Sequence, residues 1–199
     1  MLDLNAEDAG TLADELGGVA IGCDVASAES AEEAIEAART AHGPARILVS
    51  CAGIAPPKKI VGRDGAQPLD TFARVININL IGTFNVMRLA AADMVGLDAL
   101  ETGERGVIIN TSSIAAFEGQ IGQAAYAASK GGVASMTLPA ARELAKSGVR
   151  VLAIAPGIFG TPMLFGLPEE VQKSLGEGVP FPSRLGDPAE YAKLAMHMI

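Results

Sequence analysis

Four short apolar runs recur along the chain, and each ends in small or polar residues: Val19-Ala-Ile-Gly-Cys-Asp-Val, Arg46-Ile-Leu-Val-Ser-Cys-Ala-Gly, Val107-Ile-Ile-Asn-Thr-Ser-Ser and Val149-Arg-Val-Leu-Ala-Ile-Ala-Pro-Gly. Runs of this length read as strands, and the unbroken apolar character of Arg46–Gly53 implies burial on both faces. Helical patterns separate them. Ser27 to His42 is capped by Ser27 or Ser30 and stopped by Gly43-Pro44, with acids in its first turns. Asp70 opens a helical stretch to about Val95, and Gln123 to Ser147 forms another, closed by Gly148 and kinked at Pro139. Ile54 to Leu69 is a loop, Leu97 to Gly106 a polar connector, and a Gly/Pro-rich segment follows Pro156. Strands alternating with helices require right-handed crossovers, so the predicted fold is α/β, a doubly wound parallel sheet with helices on both faces.

A chain of 199 residues that is 49% hydrophobic and 19% charged fits one globular domain, residues 1–199. No uninterrupted apolar run reaches the roughly 18–20 residues of a bilayer span, and Met1-Leu-Asp-Leu-Asn lacks the basic and apolar regions of a secretory signal. Cys23 and Cys51 lie in strand-like runs and are expected to be reduced core residues, with no metal-ligand spacing around them. A reducing, cytoplasmic setting follows as an expectation. The net charge of −8 repels phosphate backbones and counts against nucleic-acid binding. Lys58, Lys59 and Arg63 form one local basic cluster, either a solvated loop or a contact for an anionic substrate tail.

In open parallel sheets ligands bind beyond the carboxyl ends of the strands, which draws attention to Asp24, Ser50 to Gly53, Ser112-Ser113 and Pro156-Gly157. Tyr126 and Lys130 stand four apart on one helix and therefore share a face, among Ala124, Ala125, Ala127, Ala128, Ser129, Gly131 and Gly132. Small neighbours leave room for a ligand to approach. The turn Ile114 to Gln123 can bring the Ser113 hydroxyl beside the phenol. Hydride transfer at a carbinol carbon needs a partner for the hydroxyl proton. A phenol with a free pKa of about 10 is a poor base near neutrality, but a neighbouring ammonium stabilises its phenolate. Tyr126 is then a general acid/base, and Ser113 orients and polarises the substrate oxygen.

The stretch Asn110-Thr-Ser-Ser-Ile-Ala-Ala-Phe-Glu-Gly-Gln-Ile-Gly-Gln-Ala-Ala-Tyr-Ala-Ala-Ser-Lys-Gly-Gly resembles the active-site block of the short-chain dehydrogenase/reductase family. The likeness runs from Leu2 to Ile199. Val179-Pro-Phe-Pro-Ser-Arg-Leu-Gly-Asp-Pro-Ala-Glu-Tyr narrows it to members acting on short 3-hydroxyacyl-CoA thioesters. The resemblance implies a Rossmann-type sheet, NAD as cofactor, a homotetramer and a role in fatty acid metabolism. It gives Ser113, Tyr126 and Lys130 the roles derived above, with Gln120 beside Ser113 and Tyr126 at the substrate. Asn79 matches a fourth catalytic member holding a water beside the lysine; by its own sequence context it is an amide satisfied within a helix.

For the cofactor, Asp3 stands where an acid accepts hydrogen bonds from ribose hydroxyls and repels a 2′-phosphate, although by itself it reads as an ordinary exposed acid. The resemblance adds Asp24 and Val25 at the adenine. It places Cys51, Ala52 and Gly53 where the backbone approaches the cofactor, joined by Tyr126 and Lys130. Pro156, Gly157, Phe159 and Thr161 fall at the nicotinamide end. Ser50 replaces the family's usual asparagine, which ties adjacent strands together. Residues 158–182 form the expected substrate loop. The family's glycine-rich phosphate turn, its first strand (placed between those at Val19 and Ile47) and its last strand have no counterpart here, so the chain is expected to be a fragment or part of a longer one. The expected activity is NAD-dependent interconversion of a secondary alcohol and a ketone, with hydroxysteroids as alternative substrates. A non-catalytic scaffold subunit or an inactive truncated product are the readings from another class.

Overall fold

The computed structural model describes residues 1–199, the side chain of residue 163 excepted. In chain order the elements are β1 (Leu2–Asp3), α1 (Ala6–Glu15), β2 (Ile21–Gly22), α2 (Ala28–His42), β3 (Ile47–Ser50), a hairpin of β4 (Val61–Gly62) and β5 (Gly65–Ala66), α3 (Leu69–Ile76), a π-helical turn (Asn77–Ile81), α4 (Gly82–Val95), β6 (Gly106–Thr111), α5 (Ala115–Glu118), α6 (Ala124–Leu144), β7 (Val149–Ile154), α7 (Pro162–Phe165), α8 (Glu169–Glu177) and α9 (Pro188–Met198). The result is α/β with parallel pairing throughout the layered part, as the alternation predicts.

Strand β6 is the spine. It pairs in parallel with β3, from Ile47 opposite Val107 to Ser50 opposite Asn110, and on its other side with β7, from Gly106 opposite Val149 to Thr111 opposite Ile154. Both of its faces are covered, which is why Val107, Ile108 and Ile109 can all be buried apolar residues. On one face α4 and α6 pack with Met87, Ala90, Ala91, Met94 and Met136 around Ile108, Val149 and Val151. On the other, Ala195, Tyr191 and Met198 of α9 cover Val107, Ile109 and Ile154.

A second, smaller layer holds β1 beside β2, with Ala31 and Ala34 of α2 buried against Cys23. Helix α2 begins where Ser27 accepts a hydrogen bond from the Ser30 amide and ends at Gly43. Salt bridges from Arg39 to Asp93, part-buried and made through two hydrogen bonds, and from Arg88 to Glu32 tie α2 to α4; the more exposed Arg88–Glu32 pair contributes at most about 1 kcal/mol. The segment Leu69–Val95 is long and apolar enough for a bilayer span, yet half of its apolar window is buried inside the protein.

Several sequence expectations need correction. Strand β3 is not buried on both faces: Ile47 and Val49 are exposed, because one face of this strand carries no covering layer among the described residues. Cys51 is exposed as well, since the strand ends at Ser50 and the thiol stands on the open carboxyl rim; only Cys23 is a core residue. The run at Val19 yields a two-residue strand, and its hydrogen-bonded neighbour is β1. The loop before Leu69 contains the β4–β5 hairpin. The Gly/Pro-rich segment after β7 contains α7 and α8, and α9 follows it.

Packing of α4 on the smaller layer requires Gly82. A Cβ there would lie 2.6 Å from Val25 Cγ2 and 3.3 Å from the Val25 backbone carbon, and the β-branched Val25 has little freedom to move aside. Gly10, inside α1, faces open space. Gly82→Ala should therefore destabilise the protein by about 1–3 kcal/mol through overpacking, whereas Gly10→Ala should stabilise it by about 0.5–1 kcal/mol through helix propensity. Urea unfolding of both variants beside the parent chain measures the two signs.

Candidate active site

The ends of β3, β6 and β7 meet the π-helical turn and the first half of α6 at one rim of the sheet. Asn79 is fully buried there. Its Oδ1 accepts the Ile54 amide at 2.8 Å, and its Nδ2 donates to the Ile54 carbonyl at 2.9 Å and to Ser129 Oγ at 3.1 Å. Ser129 in turn donates to the Tyr126 carbonyl at 2.7 Å. One amide thus clamps the loop after β3 to the helix that carries Tyr126. The Asn79 carbonyl accepts the Thr83 hydroxyl at 2.7 Å, which satisfies a backbone group beside the π turn.

Lys130 is buried, and its Nζ donates to the Thr111 carbonyl at 2.7 Å. Its own carbonyl accepts the Ser112 hydroxyl at 2.8 Å, so strand end and helix hold one another from both sides. Burial pushes the Lys130 ammonium down from its ordinary value to about 8, against a smaller opposing effect of Cys51. The Nζ lies 5.9 Å from the centroid of the Tyr126 ring. Ser113 is buried two residues beyond β6 and accepts the Ala115 amide at 3.1 Å, which leaves its O–H free to donate.

The predicted set is therefore gathered on one rim, with a particular spacing. Among the described residues no direct hydrogen bond joins the Tyr126 hydroxyl to Ser113 or Lys130. Gln120 is exposed in the turn before α6, where its backbone amide donates to Gln123 Oε1 at 2.9 Å. Lys58 reaches the same turn, its amide donating to the Gly122 carbonyl at 2.8 Å. Pro156 accepts the Ile114 amide at 3.0 Å, and Gly157 is exposed beside it. Phe159 packs on Gly186 and forms a parallel bridge with it, and Thr161 precedes α7.

On the smaller layer Asp3 and Asp24 are exposed, each carboxylate accepting a nearby backbone amide at 2.9 Å, from Asn5 and Ala26. Val25 stands against Gly82.

Thr111, Ser129 and Tyr191 belong to this neighbourhood and were not singled out from sequence. For Tyr191 a signal existed, since the chain has only two tyrosines and the other is Tyr126.

A parallel sheet thus carries a serine, a tyrosine and a buried lysine at its carboxyl rim. The family model described as short chain dehydrogenase matches residues 1–172, and the chain belongs to that family of oxidoreductases. It is similar to 3-hydroxyacyl-CoA dehydrogenase type-2 of Bos taurus, with 52% identity over 203 aligned positions covering 100% of this chain and 78% of the relative. The human protein of the same name is 53% identical over 178 positions, covering 88% and 68%. A crystal structure of 3-hydroxyacyl-CoA dehydrogenase type-2 from Mycobacterium avium superposes with a TM-score of 0.93 at 42% identity, covering all of this chain and 78% of that one.

A nicotinamide dinucleotide is the cofactor that such a family implies, and several of the residues that would meet it at the rim are both small and exposed. At Gly53 a Cβ would stand 3.3 Å from Asn79 Oδ1 and 3.6 Å from Lys130 Nζ, so the bare backbone passes close to the ammonium and a side chain would occupy the space beside it. Cys51, Ala52 and Gly157 leave the adjoining strand ends uncovered.

Two measurements probe this arrangement. Asn79→Ala should cost about 1–3 kcal/mol in urea unfolding, because the Ile54 amide and carbonyl lose their buried partner together. The Lys130 ammonium is held below its unfolded-state value, so the unfolded chain binds the proton more tightly between about 8 and 10.5. Unfolding free energy measured against a Lys130→Met reference should consequently rise as pH climbs through that window. A flat difference would mean that the lysine is not buried.

Proposed function

We propose that the chain catalyses NAD-dependent interconversion of short 3-hydroxyacyl-CoA and 3-ketoacyl-CoA thioesters. The observation carrying this is the buried Lys130 ammonium beside the Tyr126 ring, with the Ser113 hydroxyl free to donate at the same rim. A nicotinamide cofactor bound there would supply or accept the hydride. Tyr126 gives its phenolic proton to the oxygen of the ketone, or takes the proton of the alcohol in the reverse direction. Lys130 keeps the phenolate accessible by its positive charge, an effect strengthened where water is excluded. Ser113 donates a hydrogen bond to the substrate oxygen and fixes it towards Tyr126, with Gln120 beside them.

The thioester assignment draws on the names of the similar proteins and on the basic loop. Backbone bonding of Lys58 to Gly122 keeps Lys58, Lys59 and Arg63, all exposed, near the rim where CoA phosphates would lie. Residues 158–182, with α7 and α8, supply the rest of the substrate side. Asp3, exposed at the end of β1, supports NAD over NADP, because its carboxylate accepts ribose hydroxyls and repels a 2′-phosphate. Asp24 and Val25 flank the adenine end, and Pro156, Gly157, Phe159 and Thr161 the nicotinamide end. The free thiols of Cys23 and Cys51 support a reducing, cytoplasmic setting. Exposed Ile81, Phe84 and Leu138 support self-association into a tetramer through α4 and α6.

Reduction of acetoacetyl-CoA by NADH is the direct test. Tyr126→Phe should lower kcat by about 10²–10⁴, the usual contribution of a positioned acid/base. Retained turnover in that variant would remove the mechanism. Asp3→Asn should narrow the preference for NADH over NADPH; an unchanged ratio would take Asp3 out of the cofactor site.

A further inference from the structure

The second tyrosine reaches the catalytic rim from the opposite face of the sheet. Tyr191 lies on α9, whose packing on Val107, Ile109 and Ile154 brings its hydroxyl to 2.7 Å from Thr111 Oγ1. Thr111 is the last residue of β6, and its carbonyl accepts Lys130 Nζ at 2.7 Å. The same threonine hydroxyl stands 3.7 Å from Cys51 Sγ at the end of β3. On the β3 side the ladder ends at Asn110 opposite Ser50, so Thr111 extends one residue past it and relies on β7 and on its side chain for support. We propose that Tyr191, acting through Thr111, is a positioning residue that fixes the carbonyl holding the Lys130 ammonium.

This assignment rests on the role given to Lys130 and adds a residue to it. Helix α9 is itself anchored. Asp187 caps it in a capping box with Glu190, and Arg184 grips Glu190 with two hydrogen bonds of 2.9 and 2.8 Å. Gly186, next to that cap, donates to the Ile158 carbonyl and accepts the Gly160 amide, both at 2.9 Å. Tyr191 is thus held by the same short segment that fixes the strand-end loop carrying Phe159. Burial pushes the Tyr191 phenol upward from its ordinary value, so it keeps its proton at working pH and serves as a hydrogen-bonding post. The titratable groups set about Lys130 are Tyr126 on its own helix, Cys51 at the end of β3 and, beyond Thr111, Tyr191 on α9. Cys51 and Tyr191 both meet the Thr111 hydroxyl, at 3.7 and 2.7 Å, and the closer contact from Tyr191 is the one that ties Thr111 to α9.

A hydrogen bond to the charged amine favours the charged form, so loosening its acceptor lowers the amine's titration midpoint. In the full chain, Tyr191→Phe removes one hydroxyl and preserves the ring. The Lys130 midpoint, followed by NMR of its side-chain carbon next to the amine, should fall in this variant by about half a unit, a fraction of the full effect of a hydrogen bond to an ion. The kcat for acetoacetyl-CoA reduction should drop about threefold to tenfold with KM little changed, on the same scale. Thr111→Val should do the same, Thr111→Ser should restore it, and the double variant should be no worse than the stronger single one, as coupled neighbours behave. Met198→Ala, which thins the packing of the same helix, should leave the midpoint in place. An unmoved midpoint in Tyr191→Phe, or additive losses in the double variant, would overturn the proposal. If Lys130→Ala is inactive while Tyr191→Phe is silent, only this inference fails; full activity in Lys130→Ala removes the role of the lysine and this inference with it.

Discussion

An ammonium group held out of water beside a phenol is the constraint around which this rim is built. Burying a lysine is costly unless its charge is met, and Lys130 has one backbone carbonyl as its hydrogen-bond acceptor. The fold accepts that cost because a charge in a low-dielectric setting acts on its neighbours more strongly than one in water. The surrounding features maintain it. Ser112 binds the lysine's own carbonyl, Gly53 keeps the approach to the ammonium narrow but open, and Thr111 presents its carbonyl from beyond the end of the β3 ladder.

The π-helical turn serves the same purpose by another route. A uniform α-helix from Leu69 to Val95 satisfies its carbonyls internally; the wide turn at Asn77–Ile81 interrupts that regularity where Asn79 points into the protein. The buried amide then uses Oδ1 and both hydrogens of Nδ2, on Ile54 and Ser129. A carboxamide suits the position because it presents donor and acceptor to a single peptide unit.

The sequence made the architecture legible where the physics is local. Ser27 caps α2 and Gly43 ends it, and Gly148 follows α6 and its terminal turn, because capping and left-handed glycine depend on a few adjacent residues. The Tyr126–Lys130 spacing was equally readable, being a property of one helix turn. Exposure of Ile47, Val49 and Cys51 was not readable, since composition does not tell which face of a strand another layer covers. Nor was the part played by Tyr191, which depends on α9 packing against a strand 80 residues earlier in the chain. The helices after β7 escaped notice because the glycines and prolines that suggested a loop stand at helix starts and ends, as Pro162, Pro188, Gly166 and Gly178 do.

Among the described residues the two strand layers share no backbone hydrogen bonds with one another, so something else must set the distance between the acids of the smaller layer and the rim that carries Lys130. The helix Leu69–Val95 does this. At its π turn Asn79 fixes the loop after β3, and three residues on Gly82 lets Val25 seat against its backbone. A turn further, Asn85 donates to the carbonyls of Val25 and Ser27 at 2.9 and 3.1 Å, which holds the strand end bearing Asp24. One continuous helical segment therefore holds both the loop after β3 and the strand end bearing Asp24, through Asn79 at one point and Asn85 at the other.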